Sequence, residues 1–358
     1  MIHPAAINTT IFFVSLIHGL IDLTSALVIY NCAIVHNLPP QTAVTYTIFY
    51  DLMAFALQPL AGIVIDSIKR YRLAAIAGVV LVLAGALFMR TSALTAVLFV
   101  GIGNAFFHLG IGAQILTSYP DSASRIGIFT GPGAVGLSMG IWYGTHGFFP
   151  IWFLSQSLFI AAAALVILPK FTPENKCGTV SHTPILRLII LLVLTAIAIR
   201  GSVGHSGFSG LQNDAFTIIG LGIAACAGKI SGGIISDKYG WKMTTLTALL
   251  LSGISILFIH CHICFAFLAM LLFQMPMAVT LTVTSGTLPG KPALSFGLTC
   301  LALFCGTFIS YNAPPWLSIL PVTLLLITIA GGCIIYSLYL FDKSVKHYKG
   351  TQTDVGLC

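Results

Sequence analysis

Apolar residues run along this chain in long stretches, each close to the ~20 residues that carry an α-helix across the hydrocarbon core of a bilayer. Glycines, prolines and short polar clusters punctuate them. The pattern predicts twelve helices, at roughly 9–35, 42–68, 72–89, 92–118, 124–147, 150–169, 185–206, 213–236, 242–259, 262–287, 292–311 and 317–341. Connections are short except for one polar stretch, 170–187, which falls at the middle and separates six helices from six. The organisation expected is an N-terminal six-helix bundle over 1–169, a linker over 170–184, a C-terminal six-helix bundle over 185–341 and a tail over 342–358. So little chain remains for a soluble domain that function is expected inside the membrane.

Two of these stretches are related. Asn213 to Lys242 is apolar, holds Lys229 within it, and ends in Gly233-x-x-x-Asp237-Lys238-x-Gly240-x-Lys242. Val44 to Arg72 is also largely apolar, holds Asp51, and carries Gly62-x-x-x-Asp66 near its end, followed by Lys69, Arg70 and Arg72. Aligning Asp66 with Asp237 places Gly62 on Gly233 and Gln58 on Lys229. An internal repeat of this kind makes the chain two related halves.

Composition agrees with the pattern. Only 7% of residues are charged and 57% are hydrophobic, with a mean hydropathy of +1.00, whereas soluble domains carry about a quarter charged residues. The net charge of +7 forms no basic patch, so no nucleic-acid partner is expected. The basic residues instead report topology. With the N-terminus inside, thirteen of the sixteen lysines and arginines fall on the cytoplasmic side, Arg90 falls outside, and Arg200 and Lys229 lie within spans. That asymmetry follows the positive-inside rule and predicts a multi-pass protein of the cytoplasmic membrane with both termini cytoplasmic. The start of the chain has no basic region and no small-residue cleavage site, so the first helix is expected to be retained. Cysteines inside spans, such as Cys32, Cys226, Cys300, Cys305 and Cys333, read as small apolar packing residues.

These features resemble the major facilitator superfamily, with twelve helices as six plus six and Gly-x-x-x-Asp signatures after the second and eighth. The second copy matches that family's loop motif; in the first, Ser67 and Lys69 stand where a basic residue and a glycine are usual. Within the family the chain is similar to fosmidomycin-resistance-type exporters. The likeness rests on His18-x-x-x-Asp22, on Gly101-x-Gly103-x-x-x-Phe107-His108, on the run Gly232 to Gly240 and on Leu288-Pro289-Gly290. Gly131-Pro132-Gly133-x-x-Gly136 looks like a shortened antiporter motif. Two departures stand out. Leu109-Gly110 follows His108 where those exporters continue with proline and glutamate, and the superfamily's helix-4 arginine is absent, with Phe106 near its place. The resemblance implies an all-α polytopic fold of two pseudo-symmetric six-helix bundles, and a central cavity lined by helices 1, 4, 7 and 10.

Ionisable residues within a span are costly unless they face a cavity or a partner, so each is a functional candidate. His18 and Asp22 are four apart on one helix face and could hold or pass a proton; the alternative is an interhelical packing bond. Asp51 is a second proton carrier or a partner for Arg200. Arg200 presents a fork suited to carboxylate or phosphonate oxygens, or else bridges to Asp22 or Asp51. Lys229 completes an anion site, or snorkels towards water. His108 and Gln274 are further candidate substrate contacts on helices 4 and 10, while His205 and Asp214 are placed at the outer mouth. Gly62, Asp66, Gly233, Asp237 and Lys238 are candidate gating residues, a carboxylate at a helix end being able to pair with loop cations or to cap another helix.

His260-Cys261-His262-Ile263-Cys264 is too compact for a paired structural zinc site, and no metal is expected. No phosphate-binding loop or catalytic triad is present, so neither cofactor nor enzymatic activity is expected. The reading is a monomeric secondary transporter of a small anionic or zwitterionic solute, acting as a proton-coupled exporter. The alternative is an importer or exchanger of a small organic anion without proton coupling.

Overall fold

A computed structural model describes residues 4–147, 150–169, 171, 184–211, 214–311 and 319–355. Among them the regular structure is helical, with no strand. Twelve helical spans follow in order: α1 (Pro4–Val35), α2 (Pro40–Ile68), α3 (Tyr71–Phe88), α4 (Ala93–Ser118), α5 (Ala123–His146), α6 (Ile151–Ile167), α7 (Pro184–Phe208), α8 (Ala215–Tyr239), α9 (Trp241–Leu257), α10 (Ile263–Thr287), α11 (Pro292–Tyr311) and α12 (Leu320–Val355). Among the described residues nine are long and apolar enough to cross a membrane alone. The shorter α6 and α9 have 17 residues each, about 25 Å of helix. Large apolar side chains such as Phe12, Leu60, Phe159 and Ile167 point outwards, where lipid rather than water would meet them. This is a polytopic membrane protein.

The sequence-based boundaries differ mostly by one to three residues. One expectation needs correction: the last helix does not stop at 341 but continues to Val355. Hydropathy reads only the apolar part, whereas a helix emerging into water continues on polar residues such as Asp342 and Lys343. The linker over 170–184 lies outside the described residues apart from Phe171 and Pro184, and Asn213 also lies outside them. Two spans are not regular. α2 passes through a π-helical turn at Leu52–Ala56, directly after Asp51, and α10 is interrupted at Met275–Pro276, where proline cannot donate a backbone hydrogen bond.

The packing repeats with an offset of six helices. α1 packs on α5 as α7 packs on α11, α3 on α4 as α9 on α10, and α3 on α6 as α9 on α12. The contacts between the two sets obey the same rule: α5 meets α8, and α2 meets α11. At the start of α3, Arg72 donates to the backbone oxygens of Leu165 and Leu168 at the end of α6. At the start of α9, Lys242 pairs with Asp342 of α12 at 2.6 Å.

Candidate functional site

The two Gly-x-x-x-Asp signatures form matched latches at one end of the bundle. Asp66, at the end of α2, accepts the backbone N–H groups of Ala293 (3.0 Å) and Leu294 (2.8 Å) at the start of α11. Asp237, at the end of α8, accepts those of Ala123 (2.9 Å) and Ser124 (2.8 Å) at the start of α5, and the Ser122 hydroxyl at 2.9 Å. The first N–H groups of a helix have no partner within it, so a carboxylate there satisfies them and meets the positive end of the dipole. An aromatic residue opening the next helix completes each latch: Tyr71 donates to Asp66 at 3.1 Å, and Trp241 to Asp237 at 3.2 Å.

The glycine four residues earlier makes the approach possible. A Cβ on Gly62 would lie 2.8 Å from backbone atoms of Ala293 and Leu294, and one on Gly233 2.6 Å from the Ala123 oxygen. Lys69 adopts φ +56° where the second copy has Gly240 at φ +96°, so the first copy keeps the turn without the glycine that suits it. Lys238, a gating candidate, is not part of a latch; its ammonium lies over the Tyr239 ring at 5.0 Å. The one-turn repeat extends upwards, because Gly127 of α5 abuts the Lys229 backbone and Gly297 of α11 abuts that of Gln58.

Above the latches, between the two sets of helices, lies a cavity of about 360 Å³. Its wall carries His18 and Asp22 from α1, His108 from α4, Arg200 from α7, Lys229 from α8 and Gln274 from α10. Phe55, in the π-helical turn of α2, and Phe296 of α11 add aromatic surface.

His18, Asp22 and His108 form a tight cluster. His18 Nε2 is 3.1 Å from Asp22 Oδ2 and 2.7 Å from His108 Nε2, while His108 Nε2 is 3.7 Å from Asp22 Oδ1. Asn104 donates to Asp22 Oδ1 at 2.9 Å. Each imidazole is anchored at its other nitrogen, His18 Nδ1 to the Phe129 oxygen at 2.7 Å and His108 Nδ1 to the Asn104 oxygen at 2.8 Å. The cluster is walled by the Phe129 ring, stacked on His18 at 4.6 Å, and by Gly133, where a Cβ would lie 2.5 Å from Asp22 Oδ2 and His18 Nε2. Among the described residues these three are also the one group of metal-type donors held close together, within 4.8 Å of one another. His262 of the compact His/Cys run instead accepts from Cys264 N at 3.2 Å at the start of α10.

The cations stand apart from the acids. Arg200 is 7% exposed, donates one N–H to the Phe273 oxygen at 2.6 Å, and lies over the Phe273 ring at 5.1 Å. Its Nε has no partner. The bridge to Asp22 or Asp51 considered from sequence is absent: Asp22 is engaged by the histidines and Asn104, and Asp51 accepts from Tyr311 at 3.4 Å. Asp51 is therefore outside the His18–Asp22 cluster. Lys229 does not snorkel to the helix end; its ammonium turns to the Thr130 oxygen at 3.5 Å across the α5–α8 contact. Gln274 donates to the Met270 sulfur at 3.8 Å. His205 packs on Tyr311 at 4.6 Å between ring centres, and Asp214 caps the start of α8 through Thr217 N at 2.8 Å.

Asn104, Phe129, Thr130 and Tyr311 were not anticipated from sequence. Asn104 alone had a signal, lying inside the glycine-rich run of α4 and one turn before His108.

No protein-family model matches the sequence, and no curated protein does. Solved structures do. The E. coli fucose:proton symporter superposes with a TM-score of 0.65 at 12% identity, covering 94% of this chain and 99% of that one. A bacterial homologue of the iron transporter ferroportin, in its outward-facing state, gives 0.56 at 13% identity, covering 94% and 99%. A structure of the symporter in its outward conformation, described as a major facilitator superfamily transporter, gives 0.62 at 12% identity over 91% and 99%. With twelve helices, six-helix periodic packing and a central cavity, the chain has the major facilitator fold.

Proposed function

We propose that this protein is a secondary transporter that moves a small anionic or zwitterionic solute across the membrane by alternating access, as a proton-coupled exporter. The observation that carries the reading is Arg200: a buried guanidinium on the cavity wall with, among the described residues, no carboxylate beside it and one N–H unpartnered. An uncompensated buried charge is costly, and a planar fork is suited to carboxylate or phosphonate oxygens. Lys229, on the same wall, supplies a second positive charge. The Asp66 and Asp237 latches hold the cytoplasmic end closed, the cavity opens on the opposite face, and exchange follows when the two halves rock about the midplane site. The His18–Asp22–His108 cluster is the coupling element, and the chain resides in the cytoplasmic membrane with both termini inside.

Export rests on the likeness to fosmidomycin-resistance-type exporters. The absence of an arginine from α4 favours a second reading, import or exchange of a small organic anion without proton coupling. Flux in proteoliposomes tests both. Labelled fosmidomycin and a set of small carboxylates are offered under an imposed pH gradient, with a pH dye inside the vesicles. The proposal expects saturable flux of at least one anion with counter-movement of protons, lost in Arg200→Gln. Saturable flux with no proton movement would select the second reading, and saturable binding without flux would overturn transport.

A further inference from the structure

A hydrogen bond needs one donor, and the His18–His108 contact has none if both rings are neutral. A backbone oxygen only accepts, so His18 Nδ1, 2.7 Å from the Phe129 oxygen, must carry a proton. His108 Nδ1 must do the same towards the Asn104 oxygen at 2.8 Å. Each neutral ring is thereby fixed as the tautomer whose Nε2 bears only a lone pair. Yet the two Nε2 atoms face each other at 2.7 Å, a hydrogen-bonding distance. Two lone pairs at that separation repel, and the buried rings have little room to turn, being held by their carbonyl anchors and by Phe129. One positive species must lie between them. A divalent ion with ~2.0–2.1 Å bonds to both nitrogens in tetrahedral geometry would set them about 3.3 Å apart. A proton fits the 2.7 Å gap as it stands, whereas such an ion would require the rings to part.

We propose that His18 and His108 hold a single proton between their Nε2 atoms, so that His108 is a proton carrier and the pair is balanced by the carboxylate of Asp22. The acceptors and the counter-charge around the pair are in place, and Lys229 is, among the described residues, the one cation set against it. On α1, Asp22 lies 3.1 Å from one Nε2 and 3.7 Å from the other. On α4, Asn104 gives its amide N–H to the same carboxylate, leaving that carboxylate an acceptor. α5 contributes the Phe129 oxygen and no charge. The charged group facing from the opposite set of helices is Lys229 of α8, which acts on both His108 and Asp22, with Arg200 acting on Lys229; Tyr50 of α2 and Cys300 of α11 couple to Asp22. The imidazolium pair and Asp22 together are neutral, which is how a buried charge is tolerated.

Loss of the proton to cavity water leaves the two Nε2 lone pairs repelling and leaves Lys229, across the cavity, as the cation that attracts Asp22. The deprotonated cluster therefore cannot keep this geometry, and α1, α4 and α5 meet at the point that must repack. In the opposite direction, water in the cavity returns one proton and the pair re-forms. The cluster stores one proton, and its arrival or departure changes the packing of three helices on one side of the solute cavity. This role rests on the transport reading; the shared proton itself does not.

The test is ¹⁵N-histidine NMR on the full chain in lipid nanodiscs at neutral pH, with His18→Gln and His108→Gln for assignment. The expected result is protonated Nδ1 on both rings and one strongly deshielded proton coupled to both Nε2 atoms. That signal should vanish in either variant, since the glutamine amide supplies an N–H donor and removes the need for an extra proton. His108→Gln should also flatten the pH profile of anion flux, which a packing role alone would leave in place. An unprotonated Nδ1 on either ring would overturn the proposal. So would a stoichiometric transition metal retained by the purified protein and lost in both variants, since that ion would then occupy the gap. A shared proton in a protein that moves no anion would instead overturn the transport reading alone.

Discussion

Replacing Asp66 by alanine should open the latched end of the molecule, and should do so far more strongly than the same change at Asp237. Asp66 is 7% exposed and accepts two helix-start N–H groups and the Tyr71 hydroxyl. Hydrogen bonds to a charged group contribute about 1.5–3 kcal/mol each, and loss of a helix cap costs about 0.5–2 kcal/mol. The bonds share one carboxylate and are not additive, so about 3 kcal/mol is a reasonable total. This shifts the closed-to-open equilibrium by about two decades, since ~1.4 kcal/mol is tenfold. Asp237 makes a similar set of bonds but lies at the surface, where water replaces them. About 1 kcal/mol, or roughly fivefold, is expected there. Asp66→Asn, which keeps an acceptor oxygen but loses the charge, should fall between. The assay is the distance distribution between spin labels at Ser67→Cys and Lys291→Cys, both exposed and on opposite sides of the Asp66 latch. A bimodal distribution should appear in Asp66→Ala and be minor in Asp237→Ala. Equal effects at the two sites, or an unchanged distribution in Asp66→Ala, would refute the assignment of closure to these caps.

Further outcomes follow from the same geometry. Arg200→Gln should weaken anion binding by about 2–3 kcal/mol, the scale of a lost charge-assisted contact, with the thermal shift induced by a transported anion as the readout; unchanged affinity would remove Arg200 from the site. Asp22→Asn should retain anion binding but uncouple flux from the pH gradient, because the imidazolium pair loses its counter-charge; gradient-driven flux at the normal rate would contradict this. Gly133→Ala should impair coupling in the same way, its methyl carbon overlapping Asp22 and His18, and a normal pH profile of flux would show that the cluster tolerates displacement. Gly62→Leu should mimic Asp66→Ala in the spin-label experiment, since α11 can no longer approach α2; a closed distribution would place the control of closure elsewhere.

The helices were legible because a bilayer leaves a backbone few options: every N–H and C=O must be satisfied internally, so apolar length alone locates the spans. The latches were legible because Gly-x-x-x-Asp occurs twice and places a small residue and a carboxylate at matching helix ends. The candidate cluster was legible only in part. His18 and Asp22 share a helix face and advertise each other, whereas His108 joins them from 90 positions away. The Phe129 oxygen that fixes the His18 tautomer is a backbone atom with no sequence signature. Arg200 shows the converse: sequence offers Asp22 and Asp51 as partners, but both are engaged elsewhere, which only the three-dimensional packing can establish. The π-helical turn at Leu52–Ala56 also escaped, since none of its residues departs from an ordinary apolar helix.

Alternating access requires one cavity to be reached in turn from the two faces of the membrane. Leu137 lines that cavity and is 46% exposed, so Leu137→Cys in a background without other cysteines reports access to a membrane-impermeant thiol reagent. With both latches intact, modification is expected only from the face opposite Asp66 and Asp237. With Asp66→Ala added, modification should appear from the latched face and decline from the other. Equal modification from both faces with both latches intact, or none from the latched face in Asp66→Ala, would contradict closure by these carboxylates.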